Sequence, residues 1–113
     1  MAANNGVPFD RSHELFLHHS DHPNCALSSE LLVGSNYGQL RRSYEVSLIC
    51  NHKLGFVNVS YTKPNTGPLV SQWELCNAMV ISWLHHSIKK DIAISVLFCS
   101  IANQIWEELE LRY

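Results

Sequence analysis

The chain has 113 residues, of which 46% are hydrophobic and 16% charged, with a formal net charge of −2. That length holds one core and that apolar share fills it, so a second domain and bulk disorder are both excluded. Lys and Arg number 8 against 10 Asp and Glu, so no general attraction to nucleic acid or to an anionic membrane is expected.

Residues 1–14 read as a flexible N-terminal tail, polar and rich in Asn, and 15–113 as one domain. The start lacks the cationic end and apolar core of a secretory signal, and the expected location is cytoplasmic. Leu15-Phe16-Leu17 is a short apolar turn, and Pro23 and Asn24 stop any helix from forming through His18–His22. The segment 25–33 reads as extended, with Leu31, Leu32 and Val33 buried and Gly34 as a breaker. A helix is expected from Asn36, whose spacing to Gln39 resembles a capping box. Tyr37, Leu40, Tyr44 and Leu48 lie on one face of it. It ends near His52-Lys53, with Gly55 as the stop, and Phe56 and Val57 fold back onto the core.

The stretch 60–68 has two prolines and a glycine and reads as a surface loop. A second helix is expected from Ser71, capped with Glu74, burying Trp73, Cys76, Val80, Trp83 and Leu84. Ser87 caps a third helix, with Ile88, Ile92, Val96 and either Cys99 or Phe98 inward. Ser100 caps a fourth, with Ile101, Ile105, Leu109 and Trp106 inward and Glu107, Glu108 and Glu110 in water. The pattern ends at Tyr113 without Gly or Pro, and the expectation is a natural domain that runs further. No stretch is long and apolar enough to span a bilayer.

Little in these residues carries chemistry. His18 and His22 have the spacing of a helical metal pair, but Pro23 disfavours the helix, so neither metal nor cofactor is expected. The four cysteines, Cys25, Cys50, Cys76 and Cys99, form no Cys-x-x-Cys pair and read as reduced thiols. Cys76 and Cys99 sit on apolar faces, where a thiol is inert. The glutamates near the C-terminus form a solvated stripe, and no glycine-rich phosphate loop is present. No catalytic residue and no small-molecule substrate are expected. The basic pairs Arg41-Arg42 and Lys89-Lys90 allow at most a weak contact with RNA. Of the three tryptophans, Trp106 stands beside Ile105 on an acidic helix; one narrow stripe cannot bury both unless the helix is sandwiched. Trp106, Arg41 and Arg42 are therefore the candidate interaction residues.

Leu17-His18-His19-Ser20-Asp21-His22-Pro23 resembles the opening of the Gag polypeptide of plant copia-type LTR retrotransposons. In order, Asn36-Tyr37-Gly38, Lys53-Leu54-Gly55-Phe56-Val57, Lys63-Pro64, the Trp73–Leu84 helix and Ile105-Trp106-Glu107-Glu108-Leu109 resemble later parts of its N-terminal domain. The sequence departs from the family pattern at Leu40, usually Trp, at Tyr44, usually Met, at Asn58-Val59, usually Asp-Gly, and at Lys89-Lys90, usually Ser-Pro. The resemblance implies an all-α, capsid-like bundle of about four helices with an extended N-terminal segment. It implies a non-enzymatic structural protein that self-associates in virus-like particle assembly. The alternatives are a degenerate retroelement remnant without activity and a weak RNA-binding module.

Overall fold

A computed structural model describes residues 13–18 and 21–113. Most of the expected tail, residues 1–12, and His19 and Ser20 of the histidine run lie outside the described residues. The expected all-α architecture is observed: α1 spans Tyr37–Cys50, α2 Leu69–His85, α3 Lys90–Ser95 and α4 Ala102–Arg112, with a 3-10 turn at Leu54–Phe56. Among the described residues the only β pairing is an isolated parallel bridge between Leu32 and Ile88. The helix α4 packs along α2, and their inner faces share one core with Leu40, Tyr44 and Leu48 of α1.

The helical faces are those of the sequence pattern, whereas the helix ends are made differently. Asn36 turns away from α1: its Oδ1 accepts from the Val33 amide and its Nδ2 donates to the Leu31 carbonyl, each at 3.0 Å. It therefore fastens the preceding turn instead of capping the helix, and Gly34 permits that turn with a φ of 109°. Of the three residues expected to be buried before it, only Leu32 is, while Leu31 and Val33 are about half exposed.

The stop of α1 is His52, not Gly55. His52 adopts a φ of 57°, its amide bonds to the Ile49 carbonyl, and the Lys53 amide reaches the Leu48 carbonyl at 2.8 Å. This is the Schellman arrangement with histidine in the place usually held by glycine. Gly55 is buried in the 3-10 turn for another reason. A Cβ there would stand 3.0 Å from Ser60 Oγ and from Tyr61 Cβ.

The helix α2 starts at Leu69, after Gly67 and Pro68, so Ser71 lies inside its first turn and does not cap it. Glu74 pairs with Lys63 at 2.7 Å instead and holds the 60–68 loop against the helix. Ser87 is fully buried and caps nothing; its hydroxyl donates to the Trp83 carbonyl and accepts from the Leu27 amide. Ser100 does not cap α4 either. Asn77 of α2 does so from across the core: its Oδ1 accepts from the Ala102 amide and its Nδ2 donates to the Ser100 carbonyl, both at 3.0 Å. In the α3–α4 connection Phe98 points outward at 94% exposure, Cys99 is the half-buried member of the pair, and Ile101 is mostly outside the core.

The departures from the family pattern at Leu40 and Tyr44 are packed tightly, at 3% and 2% exposure. The Tyr44 hydroxyl donates to the Ser87 carbonyl. The departure at Val59 has a backbone consequence. Val59 sits at a φ of 56°, a region that a β-branched residue occupies only under strain and glycine occupies freely.

Two stability measurements check this account. Trp83 is 3% exposed and its Nε1 donates to the His22 carbonyl at 3.0 Å; Trp83→Ala is expected to lose about 3–5 kcal/mol in denaturant unfolding. Val59→Gly is expected to gain roughly 0.5–1 kcal/mol, the relief of left-handed strain less the extra chain entropy of glycine. A lower melting temperature in that variant would refute strain at Val59.

Candidate functional site

Two of the three candidate interaction residues meet between α1 and α4. The Arg41 guanidinium lies 5.8 Å from the centre of the Trp106 ring, a stacked cation–π arrangement. Its NH2 also pairs with Glu110 Oε1 at 3.1 Å. Together they floor and flank an open groove of about 490 Å³ whose rim includes Val57, Val59, Asn103, Glu107 and Leu111. Trp106 is only 7% exposed and Ile105 fully buried. The helix α4 is sandwiched, with α2 on one side and α1 on the other, which is how one helix buries both residues. Arg41 Nε is enclosed and has no hydrogen-bond partner. Arg42 is not part of this arrangement: it points into solvent and sits 3.6 Å from Glu45 on its own helix.

The chemistry-bearing side chains elsewhere do not converge. Among the described residues no three His, Cys, Asp or Glu side chains come together in a way that would hold a metal ion. The backbone amide of His18 donates to Asp21 Oδ2 at 2.9 Å, so Asp21 serves the turn. A contact that the sequence reading missed is Cys25 Sγ at 3.2 Å from His22 Nε2; the three-residue spacing was the available signal. Cys76 is fully buried, its thiol donates to the Leu15 carbonyl, and burial pushes its pKa up to about 11. That is the state of an inert thiol. Beside it Lys53 is buried, and its ammonium donates to the Phe16 carbonyl at 2.6 Å and the Asn51 carbonyl at 3.2 Å. Burial lowers the Lys53 pKa. The lysine that helped carry the resemblance is thus a clamp on the N-terminal segment. Among the described residues no helix is long and apolar enough to cross a membrane.

Comparison with known families adds one finding. Residues 18–65 match the family model of the Gag-polypeptide of LTR copia-type. The resemblance carried by the histidine run, by Asn36-Tyr37-Gly38 and by Lys53–Val57 is borne out over that stretch. The matched stretch comprises the turn at His22, the segment through Leu32, which bends at residues 27–30 where an extended run was expected, all of α1 and the 3-10 turn. It contributes Arg41 and Val59 to the groove, and α4 contributes Trp106 and Glu110 from outside the match. No curated protein and no solved structure matches the chain.

The buried acids of the core set its behaviour in alkali. Cys76 has a folded pKa near 11 against an ordinary 9.0. Its stabilising contribution is whole below pH 9 and is lost as the pH rises through 11. Tyr44, raised by burial from 10.0 to about 12, acts in the same direction one unit higher. Lys53 opposes them, because the unfolded chain holds that proton more tightly and deprotonation relieves the buried charge. The expected result is that Cys76→Ala, between pH 9 and 11, loses less stability than the native chain by on the order of 2 kcal/mol. Equal slopes in the two proteins would contradict the assignment to Cys76.

Proposed function

We propose that this chain is a non-enzymatic structural domain that self-associates, as Gag polypeptides do in assembling a particle around element RNA, and that it acts in the cytoplasm. The observation that supports this reading is the match of residues 18–65 to the copia-type Gag family. A helical core that packs Leu40 and Tyr44 closely in spite of their departure from the pattern supports a working domain over a remnant. In this reading Arg41 and Arg42 contact a neighbouring copy, and Trp106 forms the apolar floor beneath Arg41 onto which a neighbour's side chain settles. A weak RNA contact is the less favoured role for these arginines, because each already faces a glutamate, Arg41 toward Glu110 and Arg42 toward Glu45.

Light scattering on a sizing column, under reducing conditions and over a wide concentration range, tests the proposal. The expected outcome is a molar mass that rises with concentration. A compact monomer at every concentration would overturn it.

A further inference from the structure

The fold leaves a cluster of exposed apolar side chains, close in sequence, at the α3–α4 connection, and none of them lines the Arg41 groove. Ile94, Leu97, Phe98 and Ile101 are 59%, 50%, 94% and 38% exposed within eight residues of chain. A phenylalanine exposed to that degree contributes nothing to the core of its own domain, and burying it against a partner is favourable.

This surface is not a loose loop. Val96, in its middle, is buried at 1% exposure. The Leu97 amide donates to the Ile94 carbonyl and the Cys99 amide to the Val96 carbonyl, both at 3.2 Å. The Ser95 hydroxyl donates to the Ile92 carbonyl and accepts from Arg112 of α4. The turn is therefore fastened to both flanking helices, and an ordered backbone beneath exposed side chains lowers the entropy cost of binding.

Charge and area select the occupant. From Ile92 to Trp106 the sequence contains no Asp, Glu, Lys or Arg. At the edge of the surface, Arg112 pairs with Glu108 at 3.1 Å, so that rim is polar and internally neutral. A partner selected by charge finds nothing to read here, whereas two copies face each other with no like charges opposed. The four side chains expose on the order of 400 Å² of apolar area. That is about half of the ~800 Å² that each partner gives to a standard interface, with a polar rim completing the rest.

We infer that the Ile94–Ile101 surface is a self-association interface, with Phe98 as its central anchor packing against the same surface of a second copy. The inference deepens the self-associating reading proposed above and rests on it. An isologous contact of this kind closes a dimer, and the groove at Arg41 and Trp106 remains free for a second kind of contact, which a shell requires.

Sedimentation equilibrium on the full chain tests it, with Phe98→Asp and Ile94→Asp as variants and Leu75→Asp as control. Leu75 is 52% exposed and lies outside both this surface and the Arg41 groove. The circular dichroism and melting temperature of each variant show whether it is folded. The expected result is at least a tenfold weaker dimer in Phe98→Asp and in Ile94→Asp, with Leu75→Asp unchanged. Wild-type association that both patch variants retain would overturn this surface and leave self-association standing. Equal weakening in all three variants would mean general stickiness and would also overturn it. A monomeric wild type would remove the surface and the self-associating reading together.

Discussion

The polar knot at Ser87 is the interaction on which the rest of the architecture depends. One buried residue accepts the Leu32 amide and the Tyr44 hydroxyl on its carbonyl, accepts the Leu27 amide on its hydroxyl, and donates that hydroxyl to Trp83. The Lys89 amide returns to the Leu32 carbonyl at 2.8 Å. Backbone that joins no sheet has been brought inside at Leu27 and Leu32, and each of these groups would otherwise be orphaned at a cost of about 1–3 kcal/mol. Because the knot joins α1, α2 and the segment before α1, the three cannot separate individually. Lys53 repeats the device at the other end, where its ammonium and the side chains of Gln72 and Cys76 satisfy the carbonyls of Phe16 and Leu15.

The apolar faces of the four helices were legible because helical periodicity is a local property, and burial follows it wherever a core exists. Leu40, Tyr44, Leu48, Trp73, Val80, Trp83, Ile105 and Leu109 are all in the core. The caps were not legible. Asn36, Ser71, Ser87 and Ser100 have the chemistry of capping residues, and each could bond either to its own helix or to a distant backbone group. None of the four caps its helix, the side chains of Asn36 and Ser87 bond elsewhere, and the cap of α4 comes from Asn77, which nothing in the local sequence marks. Histidine in the left-handed position at His52 was equally hidden, since the rule favours the nearby Gly55.

Of the candidate site, the pairing of Arg41 with Trp106 was only half visible. Both residues were singled out, but by composition and not by proximity, because 65 positions of chain separate them and only the fold sets that distance. The exposed Phe98 was the harder case. Its neighbours Val96 and Cys99 turn inward while it turns outward, and the reversal happens inside a turn where no period applies. A pattern reading cannot tell a core residue from a contact residue when both are large and apolar and lie two positions apart.

The placement of the Ser87 knot bears on how this chain can change over time. The family match ends at residue 65, yet the partners that residues 18–65 require lie mostly beyond it. Tyr44 and Leu32 depend on Ser87, Phe56 lies 5.5 Å from Trp73 between ring centres, and Val57 holds Asn103 of α4. A piece cut at the end of the match would keep its recognisable signature and lose its means of burial. The two halves therefore stand or fall as one cooperative unit. A change at Ser87 or Trp73 is felt first in the half that matches the family.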